Sequence, residues 1–302
     1  MKKTIILAAA AMMTLPSAAQ ETYDNAPIAQ EDLNGTARYV GMGGAMEALG
    51  ADVSTISTNP AGIGLFRKSY IGGSFGFVSQ SDATSFKNGN VTNASFDQAG
   101  LVYAMRTSRR NFLNFAFNYH KSKNFDQILS AAGRLNGASQ SKLSYVKGEK
   151  GVFDLGTNSS GEIVGNNDAF NQIDYLYYNT LLHAGKTEEG KENYVYNNAN
   201  AFQFGRSNTG YIGEYDFNIS GNSNDRFYWG VTFGIHDVHY KGESAYSEML
   251  VDQDNKEIGT VGIDDSRRIS GTGFDVKAGI IFRPVETSPL RIGLYVNTPV
   301  WY

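Results

Sequence analysis

The sequence predicts an all-β chain: a transmembrane antiparallel β-barrel with a partly helical N-terminal hatch. Three observations predict it. Stretches of about ten residues alternate apolar and polar side chains, the length of a tilted membrane strand rather than the roughly 5–6 residues common in soluble sheets. Short and long connectors take turns along the chain, as in barrels with tight turns at one rim and long loops at the other. Gly is abundant, at 34 of 302 residues, with 18 Tyr, 18 Phe and only 6 Pro, which suits strands with one greasy face.

The chain opens with MKKTIILAAAAMMTLPSAA. Lys2 and Lys3 form a positive n-region, Ile5 to Leu15 an apolar stretch too short to span a bilayer, and Ser17-Ala18-Ala19 a small-residue cleavage site. Residues 1–19 are therefore expected to be a signal peptide, and the mature chain to be exported and lodged in the cell outer membrane. A buried N-terminal helix is the alternative, and Pro16 argues against it. Removal of Lys2 and Lys3 changes the net charge from −4 to −6, with 24 bases against 30 acids.

Residues 20–68 are expected to form the hatch. Gly35–Phe66 is rich in small residues and shows neither a strand period nor a full helical stripe, so it is expected to be compact and partly helical. Residues 69–302 are expected to form the barrel wall. Phe112–Lys121 sets Leu113, Phe115, Phe117 and Tyr119 against Asn114, Ala116, Asn118 and His120. Tyr211–Ser220 sets Tyr215, Phe217 and Ile219 against Glu214, Asp216 and Asn218. Phe227–His236 and Phe274–Arg283 repeat the rule, with Trp229, Phe233, Phe274 and Val276 against Thr232, His236, Asp275 and Lys277. Weaker versions in Tyr70–Ser79, Ala99–Arg106 and Arg291–Val296 bring the expected strands to about seven. A soluble all-β sheet could alternate in the same way, but with its aromatics packed inward.

Thr107–Asn111, Gly221–Arg226 and Pro284–Leu290 read as tight turns. Gln80–Ala94, Ser122–Asn208 and Lys241–Arg267 read as long external loops. Residues 122–208 are too many for a structureless connector, and two helical stripes are expected there. One holds Phe125, Ile128, Leu129, Ala132 and Leu135, with Asn124 and Gln127 placed like a capping box. The other holds Phe170, Ile173, Tyr177, Leu181 and Ala184. Either the stripes pack on each other, or Phe125, Ile128, Leu129, Phe170, Ile173, Tyr177 and Leu181 line an apolar ligand-binding groove.

The composition excludes several classes. A slightly acidic chain lacks the basic face of a nucleic-acid binder. With no Cys, disulfide frameworks, thiol catalysis and Cys-ligated metals drop out, and four His argue against a His-rich centre. Gly72-Gly73-Ser74-Phe75-Gly76 fits G-x-S-x-G, but that motif needs a strand-to-helix turn, and here the strand period runs on to Ser79. Gly41-Met42-Gly43-Gly44 lacks the third Gly of a dinucleotide fingerprint, and no strand precedes it. His236 and His239, three apart on a strand, point to opposite faces and make a poor metal pair. In Asp252–Glu257, Glu257 stands where a calcium loop needs Gly. No enzyme, cofactor or metal site is expected.

Gly41-Met42-Gly43-Gly44-Ala45 followed by Asn59-Pro60-Ala61-Gly62 resembles the N-terminal hatch of the FadL-type outer-membrane transporters of long-chain fatty acids and aromatic hydrocarbons. Gly271–Pro299 is similar to a mid-barrel hairpin of that family. The resemblance implies a monomeric fourteen-stranded barrel in outer-membrane lipid, passing small hydrophobic molecules by passive uptake. It makes Asn59, Pro60, Ala61 and Gly62 hatch or gate residues. The family's lateral exit depends on a distorted third strand, whereas Phe112–Lys121 alternates cleanly with no Gly or Pro. About seven strands imply a member truncated at the C-terminal side, with Trp301-Tyr302 as the truncation point. The alternative function is a surface adhesion or partner-binding barrel that uses loop 122–208.

Overall fold

A computed structural model describes residues 28–302; the signal-peptide expectation for residues 1–19 and the first part of the hatch expectation, residues 20–27, lie outside them. The first strands are β1 (Tyr70–Ser79), β2 (Thr92–Arg106), β3 (Phe112–Asn124) and β4 (Gln127–Ala138). Four short ones follow: β5 (Leu155–Thr157), β6 (Ile163–Gly165), β7 (His183–Lys186) and β8 (Glu192–Tyr194). The last four are β9 (Asn198–Ser223), β10 (Phe227–Val251), β11 (Glu257–Phe282) and β12 (Ile292–Asn297).

The chain is all-β. One antiparallel sheet of eight strands runs β1-β2-β3-β9-β10-β11-β12, with β4 attached to β9, and the seven strands of that path take up the seven stretches that alternate in the sequence. Among the described residues β1 and β12 do not pair with each other, so the sheet is open rather than a closed barrel. No helix of the described residues is long and apolar enough to cross a membrane.

Register lines the side chains into rows. Leu101, Phe117, Phe217, Phe233 and Val276 lie side by side across five strands, as do Tyr103, Phe115, Ile219 and Val231. This face is bare: Phe115, Phe217, Trp229 and Phe233 are 41, 50, 37 and 44% exposed. The opposite rows carry Asn118, Asp216 and Asp275, or Asn218, Thr232 and Lys277, all buried. What buries them in part is the N-terminal segment, made of helix α1 (Ala37–Gly41) and two 3₁₀ turns, Val53–Ile56 and Pro60–Leu65. Val53, Ile56 and Ile63 pack there on Val102 of β2 and Ala116 of β3.

One expected loop proves to be largely strand and a second partly so. Residues 241–267 extend β10 and β11, which stay paired from Lys241↔Arg268 to Leu250↔Gly259. The apolar period fades there because β11 is exposed on both faces over most of 257–272, so no face selects for hydrophobes. In 122–208, the first helical stripe is wrong. Phe125, Ile128, Leu129, Ala132 and Leu135 belong to β4 or its approach, and β4 pairs with the first half of β9 beyond the end of β3. A ready edge on β9 satisfies the β4 backbone and overrides a helical pattern. Asn124 is no helix cap; its Oδ1 accepts from the Asp126 amide at 2.8 Å.

The rest of the segment folds as a small unit of α2 (Gln140–Glu149), α3 (Gln172–Tyr178) and the β5–β6 and β7–β8 hairpins. The second predicted stripe does contain a helix, α3, though its capping box is Asn171 with Asp174. Phe153, Ile163, Tyr177, Tyr178 and Leu182 form its core. Asp174, 2% exposed, accepts from Ser144 Oγ at 2.7 Å and pairs with Lys147. Burial pushes the Tyr178 hydroxyl up to about 12, and it donates to the Ser144 carbonyl at 3.1 Å.

Candidate functional site

The covered face of the sheet builds two connected features, a seat for the N-terminal segment and a buried ion cluster beside it. Asn59 precedes Pro60 at the start of the second 3₁₀ turn, where a short polar side chain can stand in for a backbone acceptor. Its Oδ1 accepts from the Ala61 amide at 3.1 Å. Its Nδ2 donates to the Glu47 carbonyl at 2.6 Å and to Ile280 of β11 at 3.4 Å. Asn59, Pro60, Ala61 and Gly62 are all buried. Two glycines make room for them: a Cβ at Gly230 would fall into the Pro60 carbonyl, and one at Gly279 into Asn59 Oδ1.

Polar side chains of the sheet complete the attachment. Asn114 Nδ2 donates to the carbonyls of Ile63 at 2.7 Å and Phe66 at 3.0 Å. Thr232 Oγ1 donates to Ile56 at 3.0 Å, and Ser54 Oγ to Gln98 Oε1 at 3.0 Å. Gln98 passes the chain on to Asn118 Oδ1 at 2.8 Å. The four residues singled out in the sequence therefore sit together as one buried turn, in a segment held by side chains from three strands, β2, β3 and β10.

Beside this seat lie His120, Glu214, Asp216, His236, Asp275 and Lys277, all buried. Lys277 Nζ stands 2.8 Å from Asp275 Oδ2 and 3.3 Å from Asp216 Oδ1, and also meets Glu214 Oε1. Glu214 Oε2 faces His120 Nε2 at 3.4 Å and His236 Nδ1 at 3.9 Å. Three carboxylates removed from water against one lysine demand further positive charge, since an unpaired buried charge is expensive. Each of these residues stands on a polar strand face in the sequence, but only cross-strand register brings them together.

The seven proposed ligand-contacting residues do not share one groove. Phe125 packs edge-on against Tyr240, with ring centroids 5.1 Å apart, in a cluster with Ile212 and Val238. Phe170, Tyr177 and Leu181 belong to the core of the α2–α3 unit. Ile173 lines a cavity of about 410 Å³ with Leu176, Phe204, Tyr246 and Ile263. Ile128 and Leu129 line another, of about 430 Å³, with Phe86 and Phe204. The Asp252 carboxylate closes the β10–β11 hairpin, accepting from the amides of Asp254 and Lys256 at 2.9 Å each. Ser74 lies within β1 and donates to the Gly35 carbonyl at 2.8 Å.

No family model matches this chain, and neither a curated protein nor a solved structure does.

Proposed function

We propose that this chain is a wall-and-hatch channel of the outer membrane, akin in plan to the FadL-type transporters, for passive uptake of small hydrophobic molecules such as long-chain fatty acids. The observation that carries the reading is the reversed sidedness of the sheet. Rows of Phe, Trp, Val and Ile across five strands stay uncovered, while carboxylates, a lysine and two histidines are buried on the other side. In water that arrangement leaves a large apolar surface unpaid for by any burial; against lipid the same surface is the stable one. The free edges of β1 and β12 must then be met by strands, because each unpaired backbone group in hydrocarbon costs several kcal/mol.

The N-terminal segment plays the hatch. It lies near the short-turn end of the sheet, where Arg67 pairs with Asp225 of the β9–β10 turn at 2.8 Å. The cavity holding Ile173, Leu176, Phe204 and Tyr246 lies toward the opposite end and offers apolar side chains for capture. The test is uptake of labelled oleate by cells that lack a transporter of their own and express the full-length protein. Uptake above the empty-vector level that changes with Pro60→Ala supports the channel. Expression at the surface without uptake contradicts it, and favours a partner-binding role for the α2–α3 unit, which has its own core.

A further inference from the structure

We propose that Glu214, His236 and Asp275 form a binding site for one divalent first-row transition cation. Their ligand atoms all lie within 4.8 Å of one another. His236 Nε2 stands 3.5 Å from Asp275 Oδ1, and His236 Nδ1 3.9 Å from Glu214 Oε2. Ligand atoms bound tetrahedrally at zinc distances of roughly 2.0–2.2 Å sit about 3.3 Å apart, and one ion takes a single nitrogen of His236, so closing the set needs side-chain shifts of up to about 1.5 Å. Imidazole with carboxylate suits zinc and its neighbours rather than calcium or magnesium.

Independent observations point to a ligand. His236 Nε2 is buried with no hydrogen-bond partner, although His236 is 2% exposed and this nitrogen faces Asp275. Buried polar atoms of this kind are rare without an ion or water to meet them. Charge agrees: three carboxylates and Lys277 leave two negative charges with both imidazoles neutral, which one divalent ion cancels. His120, 3.4 Å from Glu214 Oε2, and Lys277, which meets both Glu214 and Asp275, then serve as outer partners that orient the ligands. Access is built in, since His236 also lines a cavity of about 230 Å³ with Ser122, Ile212 and Tyr302.

Protons on both imidazoles would balance the same charge, and a zinc titration separates the two. Full-length protein in detergent, stripped with chelator, is titrated calorimetrically with zinc chloride at neutral pH. The expected result is one zinc per chain, with affinity at least tenfold lower in Glu214→Gln and His236→Ala and unchanged in His239→Ala, on the bare face. Absence of stoichiometric zinc binding, or equal affinity in Glu214→Gln, His236→Ala and the parent, overturns the proposal. If those variants fail to fold, the parent protein decides it. Zinc must shift the ring resonances of His236 and leave those of His183 and His239 in place; unchanged His236 resonances overturn it equally.

Discussion

Asp216 and Phe217 are neighbours on β9, yet Asp216 is fully buried and Phe217 is 50% exposed. Strand geometry requires them to face opposite ways; what is unusual is which of them is hidden. The same inversion holds for Thr232 and Phe233 on β10, and for Asn114 and Phe115 on β3. On the proposed reading, a sheet that hides carboxylates and bares phenylalanines is matched to lipid rather than to water.

Arginine at Phe217 or Phe233 should therefore destabilise the protein in a bilayer by about 2–4 kcal/mol, the cost of a charge at mid-depth on a lipid-facing wall. Folding equilibria in liposomes measure it. A change below a few tenths of a kcal/mol would place these side chains in water.

Replacing Gly230 by valine should unseat the N-terminal segment, because the new side chain occupies the place of the Pro60 carbonyl. Overpacking of this kind costs roughly 1–3 kcal/mol. Limited proteolysis should show faster cleavage between residues 47 and 68 with the sheet intact.

Asn59→Ala removes the cap on the Ala61 amide and the bonds to Glu47 and Ile280. A loss of about 1–2 kcal/mol is expected. It should be visible as accelerated amide exchange in 59–65 but not in β10.

Asp174→Asn should loosen the α2–α3 unit selectively. It weakens the pair with Lys147, the Ser144 bond and the capping box together. Loss of such a buried charge partner costs roughly 3 kcal/mol. Exchange should rise in 140–182 while strands β9 to β11 keep their protection.

Acidification should open the β7–β8 hairpin. Hydrogen bonds from His183 and then Lys186 hold the Glu192 carboxyl below its ordinary value. A lowered folded value means the contribution is present above the ordinary glutamate pKa of about 4.3 and is lost as pH falls through the lowered one. Exchange in 183–194 should increase over that window, and Glu192→Gln should abolish the dependence.

Much of the sheet was legible because alternation survives wherever one face is apolar. Tyr70–Ser79, Phe112–Lys121 and Phe227–His236 all fall within strands. The signal vanished at Lys241–Val251, where buried Glu248 shares a face with buried Leu250, at Glu257–Arg267, which is largely open on both faces, and at β4, where pairing to β9 outweighed a helical spacing. The Asn59–Gly62 turn was picked out by its resemblance to a known hatch motif, and its Asn cap and following Pro account for the turn found there. The ion cluster could not be picked out, since its members come from β3, β9, β10 and β11. One part was within reach: the β9–β10 loop is Asn224, Asp225 and Arg226, and counting outward from Asp225 sets Glu214 opposite His236.

The sidedness of the sheet is tested most directly by spin labels on single cysteines, which a chain without native Cys permits. Labels at positions 117, 217 and 233 of the protein in liposomes should collide with lipid-dissolved oxygen and be shielded from a water-soluble nickel chelate. Labels at 218 and 232 should be shielded from both. Strong quenching of the 217 and 233 labels by the nickel chelate would contradict the account.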